Sequence, residues 1–417
     1  MTTLPPTSPS APTTVLASLR RNLRDLPGSM RMPALLAGLV VVLTAYTGPI
    51  LIIMEAAKAA NLTTAETTSW IWAVTFVNGA FGVVLSLLYR LPVVIAWPTA
   101  GAALLVLSLP SYPYPEAIGA YIVAGAIIAL VGVTGLFSRA IALVPRPVVM
   151  GMLAGVLLRF GIGLFAALPT APGMVTAVFV TYMLLRRFRF KAPLIGALVV
   201  GMVIAALDGT LNLQGVTLEL ATPVFTMPVF TVNALLGLAL PLVALALTAQ
   251  YAPGLAVLRS YGYQLPIDGA LLLTGLGSIL IGPFGGHGMT LAAITAAIAS
   301  SPDAGTDPDR RYAAGVSTGL FYMVFGLFGA TAVGLFTGLP SALIAAVTGL
   351  ALMGTIMAAL VGSMAEEDGR EGGLVALLCT GANFTMLGIG APFWGLLFGL
   401  LTNGLMTWKK REVKVEG

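Results

Sequence analysis

Long apolar runs recur along most of this chain, and short stretches of proline, glycine and charged residues separate them. Such runs are typical of helices that cross a membrane. Several are too short to span ~30 Å of hydrocarbon as a simple helix, which indicates interrupted helices. Division at the separators predicts about fourteen segments, near residues 32–57, 67–89, 93–109, 115–137, 147–168, 172–186, 192–207, 232–257, 267–281, 287–300, 312–337, 340–362, 372–387 and 391–408.

The composition supports an all-α membrane protein. Hydrophobic residues make up 58% of the 417 residues and charged residues only 9%, whereas soluble domains carry about 25% charged residues. The single cysteine, Cys379, cannot form an internal disulfide. The acidic loops lack the spacing of a metal site, and no phosphate-binding loop or catalytic grouping is visible. We therefore expect neither an enzyme nor a resident metal or cofactor.

The basic residues predict how the segments are oriented. Fourteen spans place both termini on one side, and if that side is cytoplasmic, only Lys58 and Arg159 of the 21 basic residues lie elsewhere. This bias is the positive-inside pattern of membrane proteins. Topology therefore accounts for the net charge of +5, and a nucleic-acid partner is not expected.

The two ends of the chain, residues 1–30 and 409–417, are predicted to be cytoplasmic tails. The first stretch begins polar and proline-rich, which is typical of disorder, and it lacks the apolar core of a signal peptide. Leucines at helical spacing follow, interleaved with arginines, as in Leu19, Leu23 and Leu26. This part is compatible with a short interfacial helix or with a solvated tail.

An internal repeat divides the predicted segments into two halves of seven. The first and eighth segments share a pattern, which reads TAYTGP at residues 44–49 and TAQYAP at residues 248–253. Glycines of the fourth segment recur in the eleventh at a constant offset, as in Gly125 and Gly319. Because each half holds an odd number of segments, the second copy must be inverted. Inverted repeats are typical of secondary transporters.

The third and tenth segments are predicted to hold the binding site because both are interrupted. They read LPVVIAWPTAGAALLVLSL and ILIGPFGGHGMTLAAITAAIAS. We expect each to form a short extended piece that reaches mid-membrane, followed by a half-helix. Unpaired N–H groups at two such helix starts would face one point and favour a small anion. A glycine-rich helix crossing is the alternative interpretation.

His287 is the only histidine and lies at the predicted start of the second half-helix. An imidazole titrates near neutral pH, so His287 is the candidate for proton coupling. A bound carboxylate and a bound proton would then favour each other, which is the thermodynamic basis of symport. The alternatives are a neutral histidine with a structural hydrogen bond and a histidine that faces away from the site.

Other residues at membrane depth complete the predicted site. Tyr46 and Gln250 lie in the repeated motifs and can orient a carboxylate, while aromatic side chains nearby can enclose an aromatic ring or serve as packing. The predicted substrate-binding set is Tyr46, Trp97, Thr99, Ala100, Gly101, Gln250, Phe284, Gly285, Gly286, His287, Gly288, Met289 and Phe325.

Three stretches resemble the benzoate/proton symporter (BenE-type) family of bacterial inner membranes. They are WPTAGAALL at 97–105, TAQYAPG at 248–254 and GPFGGHGMTLAAITAAI at 282–298, and the similarity extends over about residues 31–408. The resemblance implies uptake of a small aromatic carboxylate with protons by a multi-pass inner-membrane protein. It also implies the fold shared with uracil/proton symporters and SulP-type anion transporters.

The resemblance further implies two domains that move against each other. The core, which binds the substrate, would comprise residues 31–140 and 231–338, and the gate would comprise residues 141–230 and 339–408. Uracil-type relatives place acidic residues on segments eight and ten, where this chain has Gln250 and His287. The loss of negative charge suits an anionic substrate and leaves His287 or the substrate carboxyl as the proton carrier. A homodimer through the gate is one assembly of such relatives.

Other functions stay open at this point. A transporter of another small anion or of a nucleobase would share these features, although a nucleobase needs more hydrogen-bonding side chains than Gln250 and His287 offer. An anion channel should show a continuous polar stripe along several helices. A membrane sensor should carry a soluble output domain, and the short tails leave no room for one.

Overall fold

The computed structural model describes residues 15–143, 145–190, 192–214 and 216–415. Residues 1–14 and 416–417 of the predicted tails lie outside this described part. The described chain is mostly helical, as the all-α prediction expects. The strands found in it are four pieces of two residues each.

The first half of the described chain contains one short strand, β1 (Ile95–Ala96), directly before a helix. A π-helical turn, Ala73–Val77, joins the fourth and fifth helices. The helices are α1 (Val15–Ser29), α2 (Met32–Thr47), α3 (Pro49–Ala59), α4 (Thr64–Trp72), α5 (Asn78–Tyr89), α6 (Thr99–Ser108), α7 (Tyr114–Thr134), α8 (Phe137–Leu143), α9 (Arg146–Ala166), α10 (Pro172–Arg187) and α11 (Pro193–Leu207).

The second half of the described chain likewise contains π-helical turns and a short strand before a helix. Two π-helical turns, Leu235–Ala239 and Ala246–Tyr251, join its first three helices into one segment, and β2 (Thr290–Leu291) precedes α16. A hairpin of β3 (Thr385–Met386) and β4 (Ile389–Gly390) precedes the last helix. The helices are α12 (Val232–Ala234), α13 (Leu240–Leu245), α14 (Ala252–Ser260), α15 (Ile267–Ile281), α16 (Ile294–Ser300), α17 (Tyr312–Leu327), α18 (Gly329–Thr337), α19 (Ser341–Met364), α20 (Arg370–Gly381) and α21 (Ala391–Val415).

Seven helical stretches of the described residues are long and apolar enough to cross a membrane. A bent pair, Pro308–Leu327 with Gly329–Thr337, makes an eighth if the 68° bend lies within one span. Shorter apolar helices account for further predicted segments, so the count of fourteen stays a prediction. The seven stretches are Met32–Ala59, Thr64–Tyr89, Tyr114–Thr134, Arg146–Ala166, Val232–Ser260, Ile267–Phe284 and Ser341–Met364.

Both repeated sequence motifs coincide with an irregularity in their helices. In the first, Gly48 separates α2 from α3, which begins at Pro49. In the second, the π-helical turn Ala246–Tyr251 leads into α14, whose second residue is Pro253. Proline has no N–H to donate, and its ring crowds the carbonyl four residues earlier. The helix therefore breaks at the first motif and widens at the second.

Two glycines matched by the repeat make similar contacts. Gly125 of α7 lies against α15, where an added Cβ would meet the Gly275 carbonyl oxygen at 3.0 Å. Gly319 of α17 lies against α5, where an added Cβ would meet the Val83 nitrogen at 3.0 Å. Small residues allow this close backbone approach between membrane helices. Each matched glycine thus packs against a helix of the opposite half of the chain.

A separate group of helices packs around α9. Helix α9 lies along α19 and α20, and α20 lies along α21. At the first of these contacts, an added Cβ at Gly349 would meet the Phe160 carbonyl oxygen at 2.7 Å. Helix α21 continues to Val415, beyond the predicted end of its segment at residue 408.

Candidate functional site

The two interrupted segments meet through their short strands. β1 and β2 are antiparallel, with Ile95 opposite Leu291 and Ala96 opposite Thr290. The Thr290 hydroxyl donates to the Ala96 carbonyl oxygen at 3.2 Å. Two residues separate each strand from the helix that follows it, which is α6 from Thr99 and α16 from Ile294. Extended backbone inside a helical protein needs such a partner, and each strand supplies it for the other.

The start of α6 is a buried, uncapped helix terminus. Pro98 precedes it, and no side chain caps its N–H groups. The first helical hydrogen bond runs from the Ala102 nitrogen to the Pro98 carbonyl oxygen at 2.9 Å. The N–H groups of Thr99, Ala100 and Gly101 therefore precede the regular bonding of the helix and carry its positive partial charge. Ala100 and Gly101 are buried, and Thr99 is half-buried.

His287 does not begin its own half-helix, contrary to the expectation from its sequence. Helix α16 begins only at Ile294. Gly285 and Gly288 have φ values of 93° and 142°, which are incompatible with an α-helix. The Met289 nitrogen donates to the Ser278 hydroxyl at 2.9 Å rather than to a carbonyl of a helical turn. His287 therefore lies in irregular backbone before β2.

His287 instead joins two other elements. It is 2% exposed, and its Nδ1 accepts a hydrogen bond from Trp70 Nε1 at 2.9 Å. Its Nε2 lies 3.3 Å from the carbonyl oxygen of Pro98, the residue before α6. An indole N–H only donates and a carbonyl only accepts, so the imidazole is neutral with its proton on Nε2. His287 is thus an uncharged side chain that contacts both Trp70 of α4 and the residue before α6.

Aromatic side chains pack together next to the contact between His287 and the start of α6. The Tyr46 ring lies 5.0 Å from that of Phe325 and 6.5 Å from that of Trp97, measured between centroids. The Trp97 ring lies 5.8 Å from that of Tyr322. Tyr46, Trp97 and Tyr322 are buried, and Phe325 is half-buried. We call these four residues the aromatic cluster.

Two polar atoms of the aromatic cluster lack hydrogen-bond partners among the described residues. They are the hydroxyl of Tyr322 and the indole N–H of Trp97. An unpaired buried polar group costs about 1–3 kcal/mol. Two such groups in one cluster, each able to donate, therefore favour a ligand that accepts hydrogen bonds.

A cavity of about 410 Å³ adjoins the aromatic cluster. Its size falls within the range of about 300–1,000 Å³ that is usual for small-molecule sites. Apolar side chains line it almost completely, and none of the described residues in its lining is charged. The lining includes Leu43, Tyr46 and Thr47 of α2, Leu198 and Met202 of α11, and Phe325 and Phe336 of α17 and α18.

The structure brings together some of the predicted site residues and separates others. Tyr46, Trp97 and Phe325 share the aromatic cluster, while Thr99–Gly101 and His287 meet at the start of α6. Phe284 belongs to a different group, with its ring 5.9 Å from that of Trp72 and 6.0 Å from that of Phe225.

The remaining predicted residues lie on the segments that flank the contact between His287 and the start of α6. Gln250 is half-buried in the π-helical turn Ala246–Tyr251. The Met289 carbonyl oxygen accepts a hydrogen bond from the Tyr251 hydroxyl at 2.8 Å. Gly288 lies against Pro98, where an added Cβ would be 3.6 Å from the proline ring. Gly285 and Gly286 shape the backbone before His287.

Two residues of the site are absent from the set predicted from the sequence. Trp70 stands in the stretch SWIW, where it resembles a packing residue, and its link to His287 spans 217 positions. Tyr322 is three residues before Phe325 on α17, so helical spacing alone places both on one face. Tyr322 was therefore within reach of sequence reasoning, whereas Trp70 was not.

Comparisons with known proteins agree on one family. A family model described as Benzoate membrane transport protein matches residues 28–405. The chain is 37% identical over 379 residues to the Benzoate membrane transport protein of Acinetobacter baylyi, which covers 91% of this chain and 96% of that protein. It is 38% identical over 371 residues to Inner membrane protein YdcO of Escherichia coli, which covers 89% and 95% of the two chains.

Solved structures of low sequence identity share the fold. The transmembrane domain of a cyanobacterium bicarbonate transporter, BicA, matches with a TM-score of 0.57 and 16% identity, covering 92% of this chain and 97% of that one. SLC26A9 matches with a TM-score of 0.56 and 12% identity, covering 97% and 72%. These likenesses concern the fold alone, and they agree with the SulP-type fold expected from the sequence.

Proposed function

The chain belongs to the benzoate membrane transport protein family, and from that premise we propose that it imports benzoate or a similar small aromatic carboxylate together with protons. The family consists of membrane transporters, and a relative at 38% identity is an inner membrane protein. The observation that carries the choice of substrate is the aromatic cluster, which has Trp97 next to the uncapped start of α6 and Tyr46 and Phe325 in the lining of the apolar cavity.

The two parts of such a substrate suit two parts of the site. The aromatic ring fits the apolar cavity between Tyr46 and Phe325, where edge-to-face contacts with aromatic side chains are favourable. The carboxylate suits the N–H groups at the start of α6, together with the unpaired donors of Trp97 and Tyr322. Among the described residues that line the cavity, none is acidic, so none repels an anion.

Proton coupling has two candidate carriers in this proposal. His287 is neutral in this state, and its Nδ1 takes up a proton only after the Trp70 N–H has moved away. The substrate carboxyl is the second carrier, because benzoic acid can enter the apolar cavity in its neutral form. The two carriers differ in a measurable way, since only the first depends on the Trp70 hydrogen bond.

The transport movement follows from the proposed domains. The core comprises residues 31–140 and 231–338, and the gate comprises residues 141–230 and 339–408. Packing of each matched glycine against the opposite half of the chain supports an inverted repeat within the core. The cavity supports a site at the domain boundary, because α2 and α17 of the core and α11 of the gate all line it. Movement of the core against the gate would expose the site alternately to either side of the membrane.

Uptake of radiolabelled benzoate into proteoliposomes tests the function. We expect uptake driven by an inward proton gradient, with both chain termini on the cytoplasmic side in intact cells. Empty liposomes must be subtracted because benzoic acid permeates lipid. Unlabelled benzoate should compete, whereas acetate and uracil should not. Competition by uracil, or labelled benzoate that only equilibrates under a proton gradient, would contradict the proposal in favour of a nucleobase transporter or a channel.

The same assay with His287→Gln separates the two proton carriers. If His287 carries the proton, the variant should lose the response to the gradient while it still binds benzoate. Gradient-driven uptake that persists in the variant would assign the proton to the substrate carboxyl.

A further inference from the structure

Helix α1 is held against the ends of two membrane helices. Asn22, only 2% exposed, donates from Nδ2 to the Leu87 carbonyl oxygen at 2.8 Å, and its Oδ1 accepts from Arg90 at 2.8 Å. The Tyr312 hydroxyl donates to the Asn22 carbonyl oxygen at 3.1 Å. Arg90 also pairs with Asp25 at 2.9 Å. These contacts determine which face of α1 turns away from the protein.

The outward face of α1 is positively charged. Arg20, Arg21 and Arg24 are exposed on it, and none of them has an ion-pair partner in the described part of the chain. Asp25, the only acidic residue of α1, is engaged by Arg90. The positive charge of this face is therefore uncompensated.

Exposed apolar residues lie on α1 and at the start of the membrane helix that follows it. Leu23, which lies among the arginines, is 48% exposed. Helix α2 follows α1 closely, and at its membrane-entering end Met32 and Leu36 are 65% and 52% exposed. Exposed Arg31 stands between the two helices. A helix with basic and apolar residues at the end of a membrane span is typical of a segment in the lipid interface.

We propose that the outward face of α1, formed by Arg20, Arg21, Leu23 and Arg24, binds the headgroups of anionic phospholipids. Guanidinium groups form paired hydrogen bonds with phosphate, and Leu23 is placed to enter the adjacent acyl region. Together with Arg31, the three arginines of this face make four exposed basic residues next to a membrane helix. Clusters of four to eight such residues are characteristic of binding to anionic lipid. The proposal does not depend on what the protein transports.

Lipid-dependent thermal stabilisation of the purified full-length protein tests this site. The protein in neutral detergent is titrated with phosphatidylglycerol, phosphatidylcholine or inorganic phosphate, and unfolding is followed by tryptophan fluorescence. We expect stabilisation by phosphatidylglycerol that weakens as salt is added. Each arginine near an anionic surface contributes about a fivefold change in affinity, so R20Q/R21Q/R24Q should weaken phosphatidylglycerol binding by up to about a hundredfold.

A matched variant separates this site from general attraction. R139Q/R146Q/R259Q removes the same charge from three exposed arginines that are dispersed along the chain, and it should bind phosphatidylglycerol as the wild type does. Equal weakening in both triple variants would overturn the proposal, as would equal stabilisation by phosphatidylcholine or saturation by phosphate alone. If the first triple variant does not fold, the wild-type titration still decides, because phosphatidylglycerol binding that ignores salt contradicts the charged site.

Discussion

Replacement of Trp70 by phenylalanine tests whether His287 takes up the transported proton. Trp70 is fully buried, and its Nε1 donates to His287 Nδ1 at 2.9 Å. Because Nε2 already carries a proton, a second proton must enter at Nδ1 and break this bond. Loss of one partner of a buried hydrogen bond costs about 1–3 kcal/mol. In the wild type, protonation bears this cost, whereas in Trp70→Phe the bond is already absent.

The expected result is a shift in the pH dependence of uptake. One pH unit corresponds to about 1.4 kcal/mol, so removal of the penalty should raise the pH of half-maximal benzoate uptake by roughly 1–2 units. Uptake into proteoliposomes, measured across a pH series with equal pH on both sides, reports this midpoint. The variant should also unfold at a lower temperature, because Nδ1 is left without a donor.

A neighbouring tryptophan supplies the control. Trp72 lies two residues further along α4, stacks on Phe76 at 5.6 Å between ring centroids and lies 5.9 Å from the Phe284 ring. Trp72→Phe should therefore leave the pH midpoint unchanged, although it also removes an indole. If Trp70→Phe keeps the wild-type midpoint, His287 does not take up the proton and the reasoning from its tautomer fails.

Three further substitutions, two of them with a matched control substitution, have defined outcomes. Tyr322→Phe removes an unpaired hydroxyl, so the midpoint temperature of unfolding should stay unchanged. The KM for benzoate should rise about tenfold. An unchanged KM would exclude this hydroxyl as a ligand. Gly101→Val should abolish most uptake by crowding the start of α6, whereas Gly163→Val, in open space, should retain it. Asn22→Ala should destabilise the protein by about 1–3 kcal/mol in thermal unfolding, and Leu23→Ala should not.

Apolar composition and segment length were enough to predict the membrane class and the positions of long helices such as α9 and α19. The predicted segments 147–168 and 340–362 correspond to α9 and α19, which run from Arg146 to Ala166 and from Ser341 to Met364. These features are local, because apolar composition and length decide whether a segment can lie in hydrocarbon. The break before α6 was also local, since proline at position 98 limits the backbone on both of its sides.

Contacts between distant residues were decided only by the tertiary structure. The sequence identified His287 as unusual but placed it at a helix start, because periodicity cannot show that β2 must pair with β1 before α16 begins. The partner of His287, Trp70, lies on another helix, and no spacing rule connects them. The protonation state of the imidazole depends on that donor. Only the packing of α4 against the irregular backbone before β2 therefore explains why His287 is neutral and hydrogen-bonded beside the start of α6.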